Sequence, residues 1–178
     1  MRIIAGSLRG LVLNTFEADN IRPTLDRARE GVFNKIQFLI RDAHVLDLFA
    51  GTGAISLEFI SRGASKVVTC DNNKKSIDLI NQNFKKARQM PNLLCGDYLD
   101  VLNKLHKESF DIVFLDPPFK TDYGIKAILQ ILKNKQLKED GIIIFEHSCE
   151  EFFEYPEDLV LVDSKKYGYI VVDYLEWK

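Results

Sequence analysis

Asp116, Pro117, Pro118 and Phe119 place a carboxylate, a rigid turn and an aromatic ring together, directly after the apolar run Phe110-Asp111-Ile112-Val113-Phe114-Leu115. An exocyclic amino group on a base is a poor nucleophile, because its lone pair is delocalised into the ring. The Asp116 side chain and the Pro117 backbone carbonyl can accept hydrogen bonds from both of its protons. That favours the pyramidal nitrogen, which can attack a sulfonium methyl group. The prolines fix the turn and leave the Asp116 and Pro117 carbonyls unneeded by a strand ladder. Phe119 can stack on the base and hold it in line. Such a base enters only when unstacked or already single-stranded.

A second stretch suggests where the methyl donor lies. Val45-Leu46-Asp47-Leu48-Phe49-Ala50-Gly51-Thr52-Gly53 reads as a buried strand running into a glycine turn, which lets a ligand lie against backbone N–H groups. A dinucleotide fingerprint calls for a third glycine at position 56, where this chain has Ser56, and no Gly-Lys-Ser/Thr follows to make a P-loop. The acidic register points elsewhere. Asp47 lies inside the strand, where an ionised carboxylate needs a cation such as a methionine ammonium group. Asp71, eighteen residues past Gly53, can accept from both ribose hydroxyls. Asp97 is placed to accept from an adenine amino group, with Phe49 and Tyr98 beside the same ligand. Singly, each aspartate also reads as a helix cap or turn residue. Together they suit S-adenosylmethionine.

The elements that must position these residues follow from an alternation of short apolar runs and amphipathic stretches after residue 43, the pattern of an α/β sheet. Strands are expected over 44–49, 66–71, 92–95, 110–115 and 141–146, and helices over 54–62, 73–88, 98–106 and 122–134. Residues 159–163 and 167–175 leave no room for a helix between them and read as an antiparallel hairpin closing the sheet. Ahead of the core, residues 2–5 and 11–13 can pair around Ser7-Leu8-Arg9-Gly10. A helix over 25–40 follows, capped by Thr24, with Leu25, Ala28, Val32, Phe33, Ile36 and Ile40 turned to the core and Arg27 and Glu30 away from it. Residues 1–43 are thus expected to be an appendage packed on the sheet, and residues 44–178 the cofactor-binding and catalytic core of a single domain.

At 178 residues and 46% hydrophobic content, the chain can bury one full core. Cys70, Cys95 and Cys149 are odd in number and never form a C-x-x-C pair, which suggests buried thiols in a reducing compartment and no metal site. There is no signal peptide pattern and no membrane span, so a cytoplasmic protein is expected. Net charge is −2, but six of the eight arginines lie in the first 41 residues. That segment carries seven basic and four acidic side chains, which makes it the place to expect RNA or DNA, at Arg2, Arg9, Arg22, Arg27 and Arg29. The other reading is a solvated helix face laced with ion pairs. His44, His106 and His147 are scattered without a Ser-His-Asp spacing. His147 beside Glu146 reads as a satisfied pair at a strand end, and Phe152-Phe153 as core.

Two segments carry a resemblance covering nearly the whole chain. Arg2-Ile3-Ile4-Ala5-Gly6-Ser7-Leu8-Arg9-Gly10 and above all Arg22-Pro23-Thr24-Leu25-Asp26-Arg27-Ala28-Arg29-Glu30-Gly31-Val32-Phe33-Asn34 resemble the RsmD-type methyltransferases of bacteria. The glycine turn and the Asp-Pro-Pro-Phe segment are shared with many other methyltransferases. The resemblance implies a Rossmann-like S-adenosylmethionine-dependent methyltransferase fold, with a mostly parallel seven-stranded sheet. It implies methylation of the guanine N2 amino group in small-subunit (16S) ribosomal RNA; presentation in a partly assembled subunit and a monomeric enzyme are further expectations. Cofactor contacts at Asp47, Gly51, Gly53, Asp71 and Asp97, base capture at Asp116 to Phe119, and RNA contacts from the arginine-rich end are implied with it. The family more often has tyrosine at Phe119 and glutamate at Asp71. Adenine N6 methylation of DNA or RNA uses the same Asp-Pro-Pro-aromatic chemistry, and a non-catalytic RNA-binding assembly module is the third reading.

Overall fold

The structure, a computed structural model, describes residues 1–16 and 23–178, with the backbone alone at residues 23–25. Helix α1 (Pro23–Lys35) precedes β1 (His44–Asp47). Then come α2 (Ala54–Ser61), β2 (Lys66–Asp71), α3 (Lys74–Lys86), β3 (Asn92–Cys95), α4 (Tyr98–Lys104), β4 (Phe110–Leu115), α5 (Tyr123–Lys133) and β5 (Leu137–Ser148). Strands β6 (Leu159–Tyr167) and β7 (Ile170–Trp177) end the chain. All seven join one sheet in the order β3-β2-β1-β4-β5-β7-β6. Strands β1 to β5 are parallel, and β7 runs antiparallel to both β5 and β6. This is the Rossmann-like α/β sheet, with the expected antiparallel hairpin at its edge.

Alternation along the strands sends side chains to two cores. Leu46, Leu48, Val113, Leu115, Ile143 and Phe145 face a cluster shared with α4 and α5. Val45, Ile112, Phe114, Ile142 and Ile144 face a second cluster with Ala28, Val32, Phe33 and Ile36 of the α1 segment and Phe59 of α2. Apolar burial on both faces explains the near-continuous hydrophobic runs of the central strands. Burying a ring such as Phe33 contributes roughly 1.5–3 kcal/mol.

The structure shifts four expectations. Helix α1 ends at Lys35, and residues 36–39 continue as turns in which Leu39 N–H reaches back only to the Ile36 carbonyl. The register between β4 and β5 slips between Phe110 and Ile112, so β5 begins at Leu137 rather than near Gly141. Cys70 is buried, but Cys95 is exposed at the end of edge strand β3 and Cys149 is half-buried. The amino-terminal hairpin forms, with Arg2 bridging Val12, yet it packs on helices rather than on the sheet. Ile3 and Leu13 pack with Ala54 and Leu57 of α2 and Ile80 and Phe84 of α3. Fully buried Glu58 accepts from Ile4 N at 2.7 Å and Ala5 N at 3.1 Å, while Arg62 Nε donates to it at 2.7 Å. Arg22 and the capping role of Thr24 fall outside the described residues and side chains. Among the described residues, no helix is long and apolar enough to cross a membrane, and no group of three or more His, Cys, Asp or Glu is arranged to hold a metal ion.

Candidate active site

The carboxyl ends of β1, β2, β3 and β4 converge on a cleft of about 460 Å³, the edge where open α/β sheets bind ligands. Its walls include Phe49, Gly51, Asp71, Gly96, Tyr98 and the Asp116–Phe119 corner. The turn after β1 is held in place by two positive-φ glycines. Gly51, at φ 55°, donates its N–H to Asp71 Oδ2 at 2.8 Å. Gly53, at φ 76°, precedes α2 and lies so close to α3 that an added Cβ would sit 3.2 Å from Ile80 Cγ1. Its absent side chain therefore serves helix packing as well as the turn.

The three aspartates occupy different settings. Asp71 lines the cleft, accepting from Gly51 N through Oδ2 and from Asn73 N through Oδ1, and each oxygen keeps a further lone pair for a ligand hydroxyl. Asp97 caps α4, accepting from Leu99 N at 2.9 Å, with an exposed side chain outside the cleft lining. Asp47 is buried beneath the turn. Its Oδ2 accepts from Ser56 Oγ at 2.6 Å, and Thr69 Oγ1 donates to that serine at 2.9 Å. Burial raises the Asp47 pKa to about 7, with the nearby Asp116 and Asp71 adding to the rise and the Ser56 hydrogen bond opposing it. Ser56, which breaks the dinucleotide fingerprint, is thus the residue that steadies Asp47.

An aromatic wall faces these carboxyls. Tyr98 lies between Phe49, with ring centroids 5.3 Å apart, and Tyr123, at 5.1 Å. Tyr123, Asn72, Asn73 and Ser76 line the cleft without having been singled out from sequence. A position signal existed for Tyr123: like Tyr98, it opens a helix that follows a parallel strand.

Asp116 belongs to two cavities. Besides the main cleft it lines a second pocket of about 200 Å³, together with Phe16, Arg29, Phe114 and Glu146. Asp116 is exposed to these two cavities, yet the protein packed around their mouths desolvates its carboxyl and raises its pKa to about 7. Glu146 is 8% exposed, and burial, reinforced by the Asp116 charge, holds its pKa well above the usual carboxylate range. Pro117, Pro118 and Phe119 complete the corner, with Phe119 edge-on to Tyr169 at 6.2 Å.

The expected pair of Glu146 with His147 is not made. Successive residues of β5 point to opposite faces. His147 turns to Phe145, Phe153 and Asp173, with Nε2 3.1 Å from Asp173 Oδ2, while Glu146 turns to the Asp116 side. Of the arginines expected to meet nucleic acid, Arg2, Arg9 and Arg27 are exposed. Arg29 is buried, its Nη2 donating to the Arg2 carbonyl at 2.8 Å and to Asp26 at 3.2 Å.

Comparison with known proteins accords with this geometry. The family model described as conserved hypothetical protein 95 matches residues 1–176. The chain belongs to this family. It is 32% identical over 174 residues to ribosomal RNA small subunit methyltransferase D of Haemophilus influenzae, covering 96% of this chain and 90% of that one. The resemblance to RsmD-type methyltransferases therefore holds along the chain. The solved structure of yhhF from Escherichia coli superposes with a TM-score of 0.87 at 28% identity, covering 100% of this chain and 98% of that one. A structure of SMU.776 complexed with SAH shares the fold at 21% identity and a TM-score of 0.66, covering 80% of this chain and 48% of that one.

Proposed function

We propose that this chain transfers a methyl group from S-adenosylmethionine to the exocyclic N2 amino group of a guanine in small-subunit (16S) ribosomal RNA. The observation that supports it most is the placement of Asp116 in the wall shared by two cavities. One cavity suits the donor and the other the acceptor, with the residue that would grip the amino group between them.

The residues present suit the donor. Asp71 would hold the ribose hydroxyls, Tyr98 and Phe49 would flank the adenine, and the Gly51 turn would admit the rest against the backbone. Asp47, Asp71 and Asp116 repel one another, and a positively charged ligand offsets that repulsion. When bound, the donor supplies a methyl group on cationic sulfur. The Asp116 carboxylate and the Pro117 carbonyl accept hydrogen bonds from the two N–H groups of the amine and orient the nitrogen lone pair. Asp116 Oδ, with its raised pKa, then takes up the proton that the methylated nitrogen gives up. Phe119, 37% exposed, stacks on the base.

The relative from H. influenzae is named for ribosomal RNA, and exposed Arg2, Arg9 and Arg27 offer phosphate contacts within residues 1–43. A monomer acting in the cytoplasm on a partly assembled subunit is the arrangement proposed. Tritium transfer from labelled donor into small-subunit particles, followed by nucleoside identification, tests the reading. N2-methylguanosine is expected; methyladenosine without it would overturn the assignment. Asp116→Ala should lower turnover on the order of 100-fold or more while donor binding persists.

A further inference from the structure

Glu146 is a buried acid whose purpose the proposed chemistry does not explain. In the parallel β4–β5 ladder Leu115 lies opposite Phe145, so Asp116 and Glu146 are the next pair in register. Neighbouring strands run roughly 4.8 Å apart, and the pleat turns both side chains to one face, into the same 200 Å³ pocket. Glu146 is 8% exposed, and no described residue is hydrogen-bonded to its carboxyl, although a buried carboxyl normally has a partner. A second observation points to a ligand. Arg29, 7% exposed, lines the same pocket with Nε and Nη1 unpartnered among the described residues. Asp26, Glu58 and Arg62 are the charges that act on Arg29. One pocket thus gathers two hydrogen-bond acceptors and a cation in its lining. A nucleotide has the matching form: N–H donors on its base and a phosphate further along.

We propose that Glu146 reads the target base: its carboxylate accepts the ring N1–H adjacent to the amino group gripped by Asp116, and so selects guanine over adenine. The inference rests on the function proposed above and names the specificity residue of that site. Guanine presents N1–H and the amino group side by side on one edge, and one carboxyl apiece satisfies them. Adenine presents an amino group beside N1, a bare acceptor, whose lone pair faces an ionised Glu146 repulsively. Each donor that guanine brings also favours the ionised form of the carboxyl it meets, which relieves the crowding of two acids in one pocket. Arg29 adds positive charge to the lining of the same pocket.

The test uses small-subunit particles reconstituted with RNA carrying either guanine or 2-aminopurine at the methylated position. 2-Aminopurine keeps the amino group at C2 but has no N1–H. The wild-type chain should methylate the guanine particle and lose on the order of 10- to 100-fold in kcat/KM on the 2-aminopurine particle. Glu146→Met, which removes the acceptor, should fall to a similar rate on both, and Glu146→Gln, which keeps one acceptor oxygen, should lie between. Donor affinity should stay near wild type, and the melting temperature should not fall. Equal wild-type rates on the two particles overturn the inference, as does a Glu146→Met chain that keeps the wild-type preference or loses both substrates in equal proportion. No wild-type transfer to the guanine particle overturns the function reading itself, a distinct outcome.

Discussion

A buried carboxyl without a cation loses stability for the fold once it ionises, and Asp47 is in that position. Burial lifts its folded pKa to about 7 from the ordinary aspartate value of 3.8. Between those values the folded chain holds a proton that the unfolded chain has released. The stability this group contributes is therefore fully present below about pH 4 and is lost as pH rises through about 7. Asp47→Asn should raise the melting temperature relative to wild type near pH 8 and leave it unchanged near pH 4, followed by thermal denaturation across that range. A pH-independent difference would contradict the assignment. Asp116 titrates in the same window, and its proposed role requires the carboxylate. Turnover should accordingly rise with pH up to a limb near 7, and a profile falling over that interval would exclude Asp116 as the acceptor of the amino protons. The place of the Asp-Pro-Pro-Phe corner in the cleft wall was legible because its residues are consecutive and follow a parallel strand. The setting of Asp47 was not, since nothing in the strand says that Ser56, on the next helix, reaches back to it. The divergence of Glu146 and His147 was legible in principle from strand alternation, but only their adjacency was read.

Helix α1 shows what periodicity reveals and what it hides. Ala28, Val32, Phe33, Ile36 and Ile40 are all buried, as their spacing predicts. Gly31, inside the same helix, looks in sequence like a weak point. In the structure an added Cβ there would lie 2.1 Å from the Tyr167 hydroxyl, so the glycine permits α1 to lie against β6. Gly31→Ala should destabilise the fold by about 1–3 kcal/mol, and Tyr167→Ala in the same chain should restore part of the loss. Chemical denaturation of the four variants measures the coupling, and simple additivity would refute the close contact. The order of the last two strands was similarly half visible. β7 contributes buried Ile170, Val172, Tyr174 and Leu175, while β6 carries Lys165 and Lys166 on its exposed stretch. Lysines of this kind mark an outer strand, and they show why the hairpin returns inward.

Across the whole molecule, the amino-terminal hairpin is tied to the core through one buried acid. Glu58 holds two backbone N–H groups of the hairpin and the guanidinium of Arg62. Glu58→Ala removes all three partners at once and should cost roughly 3–5 kcal/mol. Arg2 and Arg9 should then become sites of rapid trypsin cleavage, and undiminished protection would show that packing by Ile3 and Leu13 suffices. The uneven charge of the chain pointed to this end, but not to the division of labour within it, where Arg29 turns inward while Arg2 and Arg9 face solvent. The position of β7 has a consequence for the order of assembly. β6 joins the sheet only through β7, which follows it in sequence, so the outermost strand cannot settle until the strand after it has paired with β5.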